Sequence, residues 1–216
     1  MVSLSNTYDS MMSNGYFYVK DADWSAAHGR FAMASLVATT DGEKSKAMLE
    51  AAACIRLYGC PQLAVDILKK AMPYATNADD RVLEALILRD LGVAYMDQCV
   101  QDKNSVLSSY ALKYFISSRD MMALQGNHIQ SAISESFVGI SLYQQNKTER
   151  AIQHMLNAHK AFFNKNDLCE MKNLIWLSRM SSFHKYYYGI RLIFLAIKVS
   201  KNPIAVISSI KGGQKI

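Results

Sequence analysis

The sequence of 216 residues has few of the residues that interrupt helices, with only 10 glycines and 3 prolines. That scarcity argues against a β-sandwich, whose many turns need both residues, and favours helices joined by short turns. Half of the residues are apolar, enough for a continuous hydrophobic core. No stretch alternates between apolar and polar residues as a half-buried strand does. The sequence therefore predicts an all-α protein of one or two domains.

Cysteine pairs and a signal peptide are also missing. The four cysteines form no CxxC motif and fall within or beside the predicted helices. Reduced thiols in an intracellular protein are the favoured interpretation, and disulfides are the alternative. We therefore expect a cytoplasmic location, with a peripheral-membrane or nuclear location as alternatives.

Motifs that carry catalytic chemistry are absent from the sequence. It contains no HExxH motif, no Cys/His cluster with zinc spacing, no GxGxxG, no Walker loop and no GxSxG. His154 and His159 are five positions apart on one predicted helix, which is poor geometry for a shared metal ion. Asp79 and Asp80 stand at the start of a predicted helix, where carboxylates favour the helix dipole, so capping explains them better than acid–base catalysis. Neither enzymatic activity nor a cofactor or metal site is predicted.

Acidic residues are missing from the end of the chain, because no Asp or Glu follows Glu170. The total charge of +6 divides into −2 for residues 1–170 and +8 for residues 171–216. The basic pI of about 9.1 therefore belongs to this tail and not to the body of the protein. For that reason nucleic-acid binding is not predicted from the overall charge.

The tail is apolar as well as basic, which leaves several interpretations open. The favoured one is a last helix that docks as a cap, with Arg191 and Lys198 in solvent. The second is a segment that lies on anionic lipid. A span across the bilayer is disfavoured because cations and Pro203 interrupt the apolar run, and a disordered end is the remaining interpretation. A docked cap predicts burial, against the helix near 167–182, of Ile190, Leu192, Phe194 and Ile197.

The main positive signal is a pattern that occurs four times. Each copy begins with a small residue that is followed, three positions later, by an aromatic or branched residue. The second half of the copy begins at least twelve positions after that small residue and consists of Ala, a bulky apolar residue and another small residue. Spacings of three and four place these residues on one helical face, where small residues allow close approach of a second helix. The copies are Gly15/Tyr18 with Ala27/Phe31/Ala34, Ala52/Ile55 with Ala64/Leu68/Ala71, Gly92/Tyr95 with Ala111/Phe115/Ser118, and Gly139/Leu142 with Ala151/Met155/Ala158.

This pattern resembles the tetratricopeptide repeat (TPR), and the resemblance covers roughly residues 6–180. The copies follow one another at 37, 47 and 40 residues instead of a uniform spacing. Long, uneven repeats are similar to those of SNAP-type vesicle-fusion adaptors and bacterial peptide-sensing regulators. The stretch from Asp23 to Ala27, followed by Phe31 and Ala34, is weakly SNAP-like.

The resemblance implies a right-handed superhelix of four antiparallel helix pairs plus C-terminal helices. The expected division is a repeat domain over 1–182 and a basic, apolar tail or capping helix over 183–216. An insertion of about seven residues is expected around Gln98–Ser105. The periodicity predicts helices over about 5–20, 23–39, 43–58, 61–74, 80–98, 105–124, 128–145, 148–164 and 167–182.

The resemblance also implies a concave groove lined by the first helix of each pair. The residue types at the groove positions do not fit the clamp that binds chaperone carboxylates, which needs Lys and Asn at several of them. They suit an amphipathic helix or an extended peptide with apolar anchors and some acid. For each of these positions, a place in the core of the superhelix is the alternative. The predicted partner-binding residues are Met12, Tyr16, Arg56, Arg89, Met96 and Tyr143.

The sequence therefore predicts a non-catalytic TPR-like adaptor that binds a partner protein or peptide. The alternative is a SNAP-like membrane-trafficking adaptor whose basic tail contacts an anionic membrane. A sensor of small peptides is a third class. Such a sensor would need an output module, and none is recognisable before the first repeat.

Overall fold

The computed structural model describes residues 7–102 and 106–180, together with Tyr188, Ile190, Arg191, Leu195 and Lys198. Over this part of the chain the secondary structure is helical, with short turns and no strand. The chain divides into two compact units, Met1–Gly126 (unit 1) and Asn127–Ile216 (unit 2). The predicted all-α fold is therefore confirmed, whereas the predicted boundary near residue 182 stays a prediction.

Unit 1 contains the first three helix pairs. Each helix packs against the next along the chain, and the first helices of neighbouring pairs, α1 with α3 and α3 with α5, also touch. Its described helices are α1 (Tyr8–Lys20), α2 (Trp24–Val37), α3 (Asp41–Leu57), α4 (Pro61–Asn77), α5 (Arg81–Asp102) and α6 (Val106–Leu124).

Unit 2 contains the fourth pair and a further first helix. Its helices are α7 (His128–Gln144), α8 (Thr148–Phe162) and α9 (Asp167–Met180). Helix α8 packs against both α7 and α9, and α7 touches α9 in the same way that first helices touch in unit 1.

Local chemistry explains where several helices begin and end. Thr40 and Glu43 form a reciprocal capping box at the start of α3, which satisfies two otherwise unpaired N–H groups. Gly59 has a φ of 108° and ends α3, and Pro61 occupies the first turn of α4, where its missing N–H costs nothing. These signals are local in sequence, so most predicted helix bounds lie within about three residues of the observed ones.

The predicted end of the fifth helix at residue 98 was wrong, and the remainder of the predicted insertion, residues 103–105, lies outside the described residues. Helix α5 continues to Asp102 and reaches 22 residues. Two side chains hold the added turns against the α3–α4 connection: the Gln98 amide nitrogen donates to the Gln62 oxygen at 2.6 Å, and that of Gln101 to the Gly59 carbonyl at 3.3 Å. Part of the extra length of the third repeat is therefore helix.

The repeat pattern describes the contacts between paired helices. A Cβ atom added to Gly15 would lie 2.5 Å from the Phe31 ring, and one added to Gly92 would lie 2.6 Å from the Phe115 ring. In the fourth pair, a Cβ on Gly139 would lie 2.8 Å from Met155. All three distances are shorter than real Cβ contacts, so glycine is needed for these helices to approach. The predicted close contacts at Gly15, Gly92 and Gly139 are confirmed.

The described residues beyond α9 correct two expectations about the tail. Arg191 is half-buried instead of lying in solvent, because it pairs with Glu170 of α9, whereas Lys198 is exposed as expected and also pairs with Asp167 of α9. Ile190 was expected to be buried and is 63% exposed. The buried residues are Tyr188 (5% exposed) and Leu195 (2% exposed).

Four of the described residues beyond α9 share a helical spacing. Residues 188, 191, 195 and 198 recur at helical spacing, so the side that buries two apolar groups also brings two cations to the carboxylates of α9. Tyr188 and Leu195 are seven positions apart, as are Ala27 and Ala34 in the first repeat. The other residues predicted to be buried, Leu192, Phe194 and Ile197, lie outside the described residues.

Candidate functional site

Tyr16 is the predicted groove residue of α1. It follows Gly15, and its ring packs edge-on against Phe31 with centroids 5.1 Å apart. Its hydroxyl donates to Glu50 of α3 at 2.9 Å. Burial and the neighbouring Glu50 carboxylate raise the pKa of the Tyr16 phenol, so the group is a neutral donor near neutral pH. The side chain is 38% exposed and thus remains accessible at the surface.

Arg56 joins the next two first helices. Its Nη1 atom, on α3, lies 2.8 Å from the Asp97 carboxylate on α5. Both side chains are half-buried, so the pair is partly shielded from solvent. Arg56 therefore already has a carboxylate partner within unit 1.

Arg89 lies beside a second carboxylate on α5. Its Nε atom is 3.5 Å from Asp90, and Arg89 makes further contacts as well. Burial raises the pKa of Asp90, and the positive charges of Arg89 and Arg56 partly oppose this rise. Asp90 is therefore within electrostatic reach of both predicted arginines.

Glu50 completes this network, and the sequence reasoning missed it. Burial raises the pKa of Glu50, the hydrogen bond from Tyr16 opposes the rise, and the charge of Asp90 adds to it. Glu50 stands two positions before the small residue Ala52, as Asp90 stands two positions before Gly92. Attention to that position would have identified both carboxylates.

The other predicted residues of unit 1 occupy two different environments. Met96 is half-buried on α5, one position before Asp97. Met12 is only 6% exposed and packs in the core with Ala27 and Phe31. Its side chain thus contributes to the packing of the first helix pair, which is the core alternative given above.

Tyr143 belongs to unit 2 and has aromatic surroundings. Its ring lies edge-on to Trp176 of α9, with centroids 6.4 Å apart. The guanidinium of Arg179 lies 5.3 Å from the centroid of the Trp176 ring, a cation–π distance. Nearer the start of the same two helices, the side-chain amide of Asn173 on α9 donates a hydrogen bond to the Ser136 hydroxyl on α7 at 3.1 Å.

Two further kinds of site do not occur among the described residues. Over these ranges no group of three or more His, Cys, Asp or Glu side chains is arranged to hold a metal ion. No described helix combines the length and apolar character needed to cross a bilayer.

No family model and no curated protein matches the sequence. Solved structures do match the fold. Apo RapI has a TM-score of 0.71 at 16% identity, with 95% of this chain and 58% of that chain covered. BtubC (BKLC) from P. vanneervenii has a TM-score of 0.66 at 12% identity, covering 96% of this chain and 82% of that chain.

A third match is a putative kinesin light chain from Podosopora anserina with nearly identical TPR-like repeats. Its TM-score is 0.61 at 10% identity, and the match covers 96% of this chain and 97% of that chain. The chain spans just over half the length of RapI, and identities this low are evidence of the fold alone. Together with the close small-to-bulky contacts between paired helices, these matches show that the chain has the fold of TPR-like repeat proteins.

Proposed function

We propose that this protein is a non-catalytic adaptor that binds a partner protein through the first helices of its repeats. In unit 1 the proposed surface, called here the inner face, is formed by α1, α3 and α5. One observation supports it above all: side chains from the three helices meet in one network while remaining partly exposed. The inner face consists of Tyr16, Glu50, Arg56, Arg89, Asp90, Met96 and Asp97.

The chemistry of the inner face suggests how a partner would bind. Arg56 and Arg89 each lie beside a carboxylate, so an acidic partner would have to compete with Asp97 and Asp90. Polar contacts of this kind contribute to orientation more than to affinity. Apolar anchors on the partner, packing against groups such as Met96, would then supply most of the binding free energy.

The first helices of unit 2 carry a second proposed contact surface. There, Tyr143 and Trp176 offer aromatic area, and Arg179 offers a positive charge. Aromatic and arginine side chains are enriched where proteins bind one another. An amphipathic helix or an extended peptide with apolar side chains is the partner class that suits both surfaces.

The alternative function, a membrane-trafficking adaptor whose tail contacts anionic lipid, is supported by composition alone. The two tail cations that the structure describes have internal carboxylate partners. Lipid binding through them would require those pairs to break, which disfavours this alternative.

Quantitative affinity capture can test the proposal. Wild-type protein and the Met96→Glu and Tyr143→Glu variants would be used as baits in extracts of the cells that produce the protein, with captured proteins quantified by mass spectrometry. We expect a partner captured by the wild type to be depleted about tenfold or more by a charge placed in an apolar contact.

Leu36→Glu provides a matched control. Leu36 is an exposed apolar residue of α2, a second helix, and the substitution introduces the same charge. Capture by this variant should equal that of the wild type, and all variants should keep their helical circular dichroism. Equal capture by Met96→Glu and wild type would refute the inner face, and capture lost equally by Leu36→Glu would place the contact elsewhere.

A further inference from the structure

The charges of the inner face do not balance among the described residues. It carries three carboxylates, and two of them lie beside an arginine. The Asp97 carboxylate is 2.8 Å from Arg56 Nη1, and that of Asp90 is 3.5 Å from Arg89 Nε. The third carboxylate, Glu50, forms no ion pair with a described Lys or Arg. Two cations and three carboxylates therefore leave one excess negative charge, and it is located at Glu50.

Glu50 also has spare capacity to accept hydrogen bonds. Its Oε1 atom accepts from the Tyr16 hydroxyl at 2.9 Å, and its Oε2 atom has no hydrogen-bond partner among the described residues. Lys46 stands one turn earlier on α3 with an exposed side chain, beyond ion-pair distance. Because Glu50 is half-buried, it has lost part of its contact with water. A donor on a bound partner would restore contacts that the fold leaves unmade.

The Tyr16 ring provides a second contact for a cation. Its hydroxyl is held by Glu50, and 38% of the side chain remains exposed. An aromatic face attracts Lys and Arg groups, and a carboxylate beside it adds a charge-assisted hydrogen bond. The same combination occurs within unit 2, where Arg191 lies 2.8 Å from Glu170 and 4.7 Å from the centroid of the Phe163 ring.

We propose that Tyr16 and Glu50 form a binding site for a basic side chain, lysine or arginine, of the partner that the inner face recognises. The cation donates to Glu50 Oε2 and lies against the Tyr16 ring, while the Tyr16 hydroxyl keeps its bond to Oε1. This inference rests on the proposed function and specifies the charge of one anchor of the partner. It differs from the sequence-based expectation of acid on the partner, because Arg56 and Arg89 already lie beside carboxylates.

Charge complementarity favours a cation over other groups at this site. A basic side chain neutralises the excess charge and supplies the missing donor at the same time. A neutral amide would supply the donor alone, and an acidic group would be repelled by Glu50. Complementary charge of this kind sets the specificity and orientation of a complex.

Selection of random peptides on the immobilised full-length protein tests the site. Peptides displayed on phage would be selected on the wild type, and their binding to variants measured by fluorescence polarisation. Met96→Gln removes an apolar group of the inner face without changing its charge, so it identifies the peptides that bind this face. Among these peptides we expect Lys and Arg to be enriched over the unselected library. Glu50→Gln should weaken their binding about tenfold.

Matched variants separate this site from the net charge of the protein. Glu50→Gln keeps the length of the side chain and an oxygen that accepts from Tyr16, but removes the charge. Added salt should therefore weaken peptide binding more for the wild type than for Glu50→Gln. Asp66→Asn removes an exposed carboxylate of α4, a second helix of unit 1, and should bind as the wild type does. Glu50→Lys should select peptides with Asp or Glu instead.

Three outcomes overturn the site, and they distinguish it from the proposed function. If peptides that depend on Met96 lack the basic residues and bind Glu50→Gln as tightly as the wild type, the site is wrong while the inner face stands. If Asp66→Asn loses binding to the same extent as Glu50→Gln, the effect belongs to net charge and not to this site. If no selected peptide depends on Met96, the inner face itself is refuted, and the site with it. Circular dichroism of each variant confirms that the fold is kept.

Discussion

The two units join their first helices by different chemistry. In unit 1 the links are polar, a tyrosine-to-glutamate hydrogen bond between α1 and α3 and an arginine-to-aspartate ion pair between α3 and α5. In unit 2 the link between α7 and α9 combines an aromatic pair with an amide-to-hydroxyl hydrogen bond. Both units nevertheless bury the same small-to-bulky contacts within a pair. The repeat pattern thus fixes how helices pair and leaves the face between first helices free to vary.

A second difference between the units lies at the repeat position that a small residue occupies in the first helix of a pair. Gly15 and Gly92 stand three positions before an aromatic residue, and Asn173 stands three positions before Trp176 in α9. Asn173 is almost fully buried, and its side-chain oxygen has no partner among the described residues. Unit 2 therefore buries a polar group at a position where unit 1 has glycine or alanine.

The largest effect is expected at the glycines that both units share. Gly15→Leu in unit 1 and Gly139→Leu in unit 2 should each lower the free energy of unfolding by about 1–3 kcal/mol or more, because the new side chain meets Phe31 or Met155 at once. A Cβ atom added to Gly139 would also lie 3.1 Å from the backbone carbonyl oxygen of Ala151, which cannot rotate away as a side chain can. Urea unfolding followed by circular dichroism measures both changes.

The matched control for this pair is Gly29→Ala in α2. A Cβ atom on Gly29 would have no neighbour within 4 Å, so the substitution should stabilise the helix by about 0.5–1 kcal/mol. If Gly139→Leu were as stable as the wild type, the packing assigned to the fourth pair would be incorrect.

The aromatic link of unit 2 should show an intermediate effect that is insensitive to salt. A double-mutant cycle with Tyr143→Leu and Trp176→Leu should give a coupling free energy of about 0.5–1.5 kcal/mol. Because the interaction is between uncharged rings, the coupling should be the same at low and high ionic strength. A coupling free energy near zero would mean that the two rings lie close together without their contact contributing to stability.

The ionic link of unit 1 should be weaker and should depend on salt. Arg56→Glu places like charges together, so we expect a loss of up to about 1 kcal/mol at low ionic strength, since the pair is only half-buried. The reversed pair, Arg56→Glu with Asp97→Arg, should recover much of this loss, and salt should reduce both effects. Failure of the reversed pair to recover stability would argue against a direct link between α3 and α5.

The smallest effect concerns Tyr16 at alkaline pH. Burial and the charge of Glu50 raise the pKa of the Tyr16 phenol above its ordinary value of about 10. The neutral phenol therefore makes its full contribution to stability below about pH 10. That contribution is lost as the pH rises toward the pKa of the folded state. Thermal melting between about pH 8 and 11 should therefore show a steeper decline for the wild type than for Tyr16→Phe. Parallel declines would show that the phenol titrates without coupling to folding.

Sequence reasoning was most successful where the signal was local. Glycine at the end of α3, proline at the start of α4 and the Thr40 capping box act within one or two turns, and the helix bounds follow from them. It was less successful where distant residues decide. The extension of α5 depends on Gln62 and Gly59, about forty positions earlier in the chain, and no local pattern reports such contacts.

The sequence by itself determined that this chain forms paired helices with TPR-like packing. The reason is that small and bulky residues at spacings of three and four lie on one face of each helix, where the bulky side chain of one helix packs against the small residue of its partner. Tertiary structure alone decided which charged groups face inward. Arg191 belongs to a basic, apolar tail of the kind that suits solvent or lipid, yet it is half-buried against the fully buried Glu170. The reason is that a buried carboxylate must recover the hydration it loses, and only the fold determines which cation is near enough to supply it.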